Sequence, residues 1–418
     1  MDARTLAIDS LTRLDRWITE NGWAGYDPYD IKGLPALLYL QGEHRGRIAR
    51  LIKGAVWSGM ELAPNASRRL LRVKKRINAK AMGLFADGYL NLHRVTGRED
   101  YLQKAKACLD WLEENPSRGY SGPCWGYPFD WQSRVFIPAG TPSAVVTSIV
   151  GQAYWSFYKH SGDRRFLATC EGICGFFLND LHIDELGSGK ICFSYTPIDS
   201  FHVNNANLFA AEFLVRIGAE TGREELVQRG LQAANYTLGE QSEDGSICYW
   251  GKDQESDCRI DHFHTGFEIR SLFSIWKVTR DDRILEAVSR YYRFYLRNLF
   301  VDRTIPRMRP HSTYPINIHS CAEALLCNAL LADEFPEAEE YVVNSLRWTV
   351  GNMQTEAGWF IFRAWRVGAW ELRSKIPYIR WGQAWMLNAL SGALALLTNS
   401  DRADAIAESN SATREEVH

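Results

Sequence analysis

Apolar residues along this chain recur mostly with helical spacing, and the strict alternation that marks strands is sparse. Two kinds of segment take turns. One kind is apolar around its whole circumference: "KAMGLFADGYLNLHRVTG", "TPSAVVTSIVGQAYWSFYKHSG", "NANLFAAEFLVRIGAETG", "HTGFEIRSLFSIWKVT", "HSCAEALLCNALLADEF" and "RWGQAWMLNALSGALALLT". These begin near residues 80, 141, 205, 264, 319 and 380, a period of about 60 residues. After each of the first five comes a helix with a polar outer face, such as "REDYLQKAKACLDWLEE". The junctions "TGRED", "SGDRR", "TGREE" and "TRDDR" supply a turn and then capping or acidic residues.

Six all-round apolar helices can bury themselves by closing into a ring, with their amphipathic partners outside. The pattern therefore predicts an all-α fold, an (α/α)6 barrel or toroid in one domain over residues 1–398, with an open solenoid as the structural alternative. Helix 3–21 would complete the outer ring beside the last inner helix. The polar stretch 399–418 is expected to be a disordered tail.

Composition narrows the function classes. The 418 residues are 46% hydrophobic and 23% charged with a net charge of −2, so nothing global points to nucleic acid or membrane surfaces. No run of about 20 apolar residues exists to span a membrane, and "MDARTLAIDSLTRLDRW" lacks the pattern of a secretory signal. Nine cysteines without CxxC spacing predict reduced thiols and a cytoplasmic location. The basic run "RRLLRVKKR" (68–76) reads as a solvated face. The 15 Trp, 18 Tyr and 19 Phe are many; composition alone favours a large core, and the same rings would also suit a cleft that stacks on sugar rings.

In this register, the stretches preceding the six inner helices meet at one mouth, and they are rich in aromatics, histidines and amides: "RINAKAMG", "CWGYPFDWQSRVFIPAGTPS", "CFSYTPIDSFHVNNANL", "IDHFHTGFE", "RPHSTYPINIHSCAE" and "SKIPYIRWGQAW". Two carboxylates stand out. Asp130 sits among aromatics that would desolvate it into a general acid, and Asp261 precedes an inner helix as either an N-cap or a second acid. An acid pair across a cleft permits glycoside hydrolysis, with Trp125, Trp131 and Trp381 as stacking platforms and Tyr127, Arg134, Tyr195 and Gln383 beside them.

The second constellation is centred on histidine. His264 and Glu268 are four apart, as are His319 and Glu323, so each glutamate would orient an imidazole. With Asn204, Asn205, His262, Tyr314 and a carboxylate clamp at Arg380, the histidines suit proton abstraction beside a carbonyl or carboxylate. His262 and His264, at i and i+2, make a poor shared metal pair. No metal and no cofactor are expected.

The segments "GYDPYD", "NAKAMGLFADGYL", "CWGYPFDWQSR", "CFSYTP", "VNNANL", "DHFHTGFE", "YPINIHS", "NMQTEAGWFIFR" and "IPYIRWGQAW" carry a resemblance over nearly the whole chain. It resembles the six-hairpin glycosidase-like (α/α)6 barrels, and more closely a group of bacterial proteins encoded among capsule and polysaccharide genes. Some of that group bear the name δ-aminolevulinic acid dehydratase, a chemistry that needs a TIM barrel with Schiff-base lysines. The resemblance carries no residue role with it, and beside the reading of the residues it leaves three options. The first is a glycoside hydrolase-like enzyme of intracellular polysaccharide metabolism using Asp130 and Asp261. The second is a sugar epimerase or uronate lyase using His264, His319 and Arg380. The third is a glycan-binding scaffold in peripheral contact with polysaccharide-assembly machinery. All three take a saccharide or uronate-containing glycan.

Overall fold

The computed structural model describes residues 1–35, 37–38, 47–254 and 257–415. The fold is all-α, with fourteen α-helices and only short strands among the described residues. Six helices form the inner ring: α4 (Ala79–Thr96), α6 (Ala144–Ser161), α8 (Asn204–Thr221), α10 (His262–Thr279), α12 (Ile318–Leu331) and α14 (Trp385–Glu415). Each packs against the next, and α14 packs against α4, so the ring closes and the open solenoid is excluded. The outer ring is α5 (Glu99–Glu114), α7 (Arg164–Asn179), α9 (Glu224–Gly239), α11 (Asp282–Asn298) and α13 (Ala338–Met353). As the sequence predicts, α1 (Ala3–Asn21) completes it, lying against both α13 and α14.

The inner helices are buried on every side because neighbours flank them and the outer ring covers them. In α8, for example, thirteen of eighteen residues are buried. The repeated junctions do what their chemistry requires. Gly97, Gly162 and Gly222 end three inner helices in the left-handed conformation, where a side chain is penalised, and Arg280 takes the same conformation, with φ 56°, at the fourth. Asp163 and Asp281 then cap the following outer helices through the amides of Arg165 and Arg283.

Inner-to-outer connections are therefore tight, whereas outer-to-inner connections are long and carry the strands. Hairpins at β1 (Trp131–Gln132) with β2 (Phe136–Ile137), and β3 (Ile183–Glu185) with β4 (Ile191–Phe193), precede α6 and α8. β5 (Phe300–Val301) pairs with β6 (Ile305–Pro306) ahead of α12. There β7 (Ile316–Asn317) joins β8 (Arg363–Val367) and β9 (Trp370–Ser374) in a three-stranded sheet. All of this irregular chain collects at the end where the inner helices begin. The described residues of 22–35, 37–38 and 47–76, with α2 (Arg47–Leu62) and α3 (Pro64–Leu70), reach over the same end and keep a small separate core of Ile31, Leu37 and Met60.

Two expectations are corrected. Cys248 and Cys258 form a disulfide with their Cα atoms 5.1 Å apart, so the thiols are not all reduced. The reason is local: the Tyr249 amide donates to the Arg259 carbonyl, folding the segment back on itself. The other seven cysteines are free and buried. The basic run is also not uniformly solvated. Arg68 is buried against Asp30, with Nη2 2.9 Å from Oδ1, and donates to the Asp27 carbonyl.

Closure of the ring yields a direct test. A methyl at Gly88 on α4 would lie 2.5 Å from Leu387 Cδ2 and 3.1 Å from the Asn388 Cα of α14. Gly88→Ala is therefore expected to destabilise the protein by about 1–3 kcal/mol, read as a lower midpoint in urea unfolding. Gly54→Ala on α2, which meets nothing within 4 Å, is the control.

Candidate active site

At the mouth, the helix starts and the overlying segment enclose a cavity of about 90 Å³. Its wall is mostly aromatic, with Tyr29, Tyr127, Trp131, Tyr195, Tyr249, Trp250, Phe263, Phe267 and Trp381. Tyr29 stacks on Trp131 at 5.8 Å and meets Trp381 edge-on at 5.4 Å, so the N-terminal segment roofs the cavity by ring packing. Apart from the tyrosines, the polar residues on this wall are few: His264, His319, Lys80, Ser133, Asn205, Asp199 and Arg380. Asp199 is spoken for, since its carboxylate accepts from the amides of Tyr195, Thr196 and Phe201.

The start of α10 explains the crowding of "DHFH". Asp261 Oδ1 accepts from the His264 amide at 3.0 Å, capping the helix, while Oδ2 lies 2.7 Å from His264 Nδ1. A carboxylate can only accept here, so Nδ1 carries the proton, and the neutral form of the ring keeps its lone pair on Nε2. Asp261 is thus both cap and orienting group. Glu268, expected in that orienting role, instead accepts from the Tyr291 hydroxyl, and burial pushes its carboxyl well above the usual range.

His319 differs in kind. It is 1% exposed, stacked on Phe263 at 4.5 Å and edge-on to Trp381 at 4.7 Å, and neither ring nitrogen has a hydrogen-bond partner among the described residues. Glu323 does not orient it, because Glu323 is held by Arg270 Nε at 2.6 Å and Nη2 at 3.0 Å. Burial, then the nearby Lys80 and Arg380 charges, hold the His319 imidazole well below its ordinary pKa, so it stays neutral across the physiological range. The two His-x3-Glu patterns are real spacings without the contacts they suggested. On a helix, i and i+4 side chains meet only if no stronger partner reaches either first.

Arg380 sits in a one-turn widening of the helix, Ile379–Ala384, just before α14. Its guanidinium is bound to Asp27 through Nε at 2.5 Å and Nη2 at 2.7 Å, and both residues are buried. The expected carboxylate clamp is therefore already engaged by the "GYDPYD" turn. Trp381 donates to Asn317 Oδ1 and keeps its ring on the cavity.

The other candidates divide plainly. Tyr127, Trp131, Tyr195 and Asn205 line the cavity. Trp125 does not: its ring lies in the core and Nε1 donates to the Leu112 carbonyl. Gln383 is bonded to both backbone groups of Phe360, and Asn204 to the Cys248 carbonyl. His262 faces Tyr295 between α10 and α11, with burial pushing it down to about 3. Arg134 lies over the Trp250 ring at 3.7 Å. Tyr314 stands in the loop before β7, outside the cavity wall. Asp130 is exposed, accepts from the Ala139 amide at 2.7 Å, and lines a different, outer cavity of about 280 Å³. Its aromatic neighbours stack with one another and leave it in solvent, against the expectation of a desolvated acid.

Lys80 escaped sequence reasoning, although a lysine in the otherwise apolar first turn of an inner helix was the available signal. It is 3% exposed, on the cavity wall, with its ammonium 5.3 Å from the Trp385 ring centre and 5.7 Å from that of Phe267. Burial, reinforced by Arg380, holds its pKa well below the ordinary lysine value. The folded state therefore binds fewer protons than the unfolded chain between the depressed pKa and about 10.4. Stability is lost as pH falls through that window. Lys80→Met is expected to stabilise the protein at pH 7 by about 1 kcal/mol or more and to flatten this pH dependence, as read by urea unfolding at several pH values.

No family model matches the chain, and comparison with curated proteins finds no match. Solved structures do match. An unsaturated glucuronyl hydrolase specific for heparin is 12% identical with a TM-score of 0.56, covering 94% of this chain and 96% of its own. A sugar epimerase from a ruminal bacterium is 12% identical with a TM-score of 0.60, over 76% and 87%. A family 76 α-1,6-mannanase from Salegentibacter is 14% identical with a TM-score of 0.57, over 77% and 90%. These likenesses share the fold alone, the (α/α)6 barrel that the sequence pattern predicts.

Proposed function

We propose that the protein is a carbohydrate-processing enzyme that moves a proton at a sugar carbon: an epimerase or isomerase of a reducing sugar, or a lyase of a uronate. One observation carries this reading. The Asp261–His264 pair and the unpartnered His319 face one small aromatic cavity, whereas Asp130 lies in another. Hydrolysis by an acid pair needs two carboxylates flanking one bond. Here one acid is exposed outside the cavity and the other stands behind an imidazole.

In this reading His264 Nε2 takes the proton from the carbon next to the carbonyl, and Asp261 steadies the imidazolium that forms. His319, neutral because it is buried, donates a hydrogen bond to the carbonyl oxygen as charge develops there. Delivery of a proton to the opposite face of that carbon gives the epimer. Return to the neighbouring carbon gives the isomer, and departure of a β-substituent gives the unsaturated sugar. None of these outcomes needs an oxidant. The likeness in fold to a sugar epimerase and to a D-mannose isomerase supports the reading.

The test is hydrogen exchange. Incubation of the protein with a panel of aldoses, ketoses and uronates in deuterium oxide is expected to place deuterium beside the carbonyl of one of them. Release of free sugar from a glycoside, with no exchange in any panel member, would return the assignment to hydrolysis.

A further inference from the structure

The outer cavity, about 280 Å³, takes no part in this chemistry. It lies between the "GYDPYD" turn, residues 72–76, the start of α4 and the Phe129–Asp130 segment. Its charges do not balance. Asp27 is engaged by Arg380 and Asp30 by Arg68. That leaves Arg72, Lys74 and Arg76 against the single carboxylate of Asp130, which already accepts from the Ala139 amide. All three basic side chains are exposed, and none has an ion pair among the described residues.

A second observation is independent of those cations. Asn78, on the same wall and 5% exposed, caps α4 with Oδ1, accepting from the Lys80 amide at 3.0 Å. Its Nδ2 is buried and has no partner among the described residues. A buried amide donor without an acceptor is rare in a folded protein and marks a position where an acceptor belongs. It stands at the N-terminus of an eighteen-residue helix, whose dipole favours an anion.

We propose that the outer cavity binds the phosphate or diphosphate group of a phosphorylated sugar, with Arg72, Lys74, Arg76 and Asn78 Nδ2 around it. The proposal rests on the reading of the inner cavity as the reacting site. Arg380 lines both cavities, so a sugar in the inner one and its phosphate in the outer one would flank the same guanidinium. The outer volume, about three times the inner, suits a group with several acceptor oxygens better than a single carboxylate. The substrate class is thereby narrowed to sugar phosphates and sugar diphosphate conjugates.

Calorimetric titration of the full chain with inorganic pyrophosphate tests this, using Lys74→Gln/Arg76→Gln and, as a charge-matched control, Arg164→Gln/Arg297→Gln. All four side chains are exposed, so both variants are expected to fold. Pyrophosphate Kd is expected to rise about ten-fold or more in the first variant and to stay unchanged in the control. Absence of pyrophosphate binding to the wild type, or equal weakening in both variants, overturns the site. Uridine diphosphate glucose and phosphatidylcholine vesicles carrying farnesyl diphosphate form two further arms. Binding of the first supports a soluble nucleotide-linked sugar, and capture by the second supports a lipid-linked one. Pyrophosphate binding should survive in His264→Ala, so failure of the proton-transfer reading and failure of this site give different results.

Discussion

His264→Ala is expected to lower turnover of the identified sugar by about 10²–10⁴-fold with little change in KM or in unfolding midpoint. The imidazole is partly exposed to the cavity, and its removal leaves the Asp261 carboxylate still capping α10 through the backbone amide of residue 264. Asp261→Asn separates the two duties of that aspartate. Asparagine caps a helix nearly as well, so stability should hold. It can offer Nδ1 a neutral acceptor but cannot balance an imidazolium, so turnover should fall. Asp130→Asn should stay within about three-fold of the wild type, because Asp130 lies outside the cavity and one exposed charge contributes little. Deuterium exchange at the sugar carbon measured beside turnover shows which step is lost. A fully active His264→Ala would remove the imidazole from the chemistry.

The largest effect on stability is expected at Asp27→Ala. This substitution leaves the Arg380 guanidinium buried without its counter-charge and removes the acceptor that holds the Tyr29 amide at 2.9 Å. Breaking a buried pair from one side costs about 3–5 kcal/mol, a large part of the about 5–15 kcal/mol that holds a typical domain folded. The turn carrying Tyr29 roofs the cavity, so sugar binding should weaken in the protein that remains folded. Urea unfolding reads the first effect and sugar titration the second. Adding Arg380→Met to Asp27→Ala should recover part of the lost stability, because no unpaired charge then remains. A midpoint unchanged in Asp27→Ala would mean that the pair contributes nothing to the fold.

The fold was legible because its signals are local and repeated. Six all-round apolar segments, each joined by a turn motif to an amphipathic one, admit few ways to be buried. The structure places their starts within a few residues of those read from the pattern, the last being displaced by the widened turn at Ile379–Ala384. Even the role of α1 in closing the outer ring follows from a segment with one apolar face and no other partner.

The site was legible only as a region. Rim segments dense in aromatics and histidines do converge, and His264, His319, Tyr127, Trp131, Tyr195, Asn205, Arg380 and Trp381 reach one cavity. The pairings within it were misread wherever spacing stood in for distance. Glu268 and Glu323 satisfy the i and i+4 rule with the histidines, yet Tyr291 and Arg270 from neighbouring positions in space take them first. Asp27, 353 residues from Arg380, could not be matched to it by any local pattern.

What the sequence alone determined is the ring, its two layers and the end at which the aromatic- and histidine-rich segments collect, because periodicity and turn chemistry act over a few residues at a time. That Glu268 and Glu323 turn away from their histidines was decided by the tertiary structure alone. The choice among competing partners depends on a few ångströms between elements far apart in the chain. Burial then fixes the charge state of whatever is left in the cavity, as it does for Lys80 and His319.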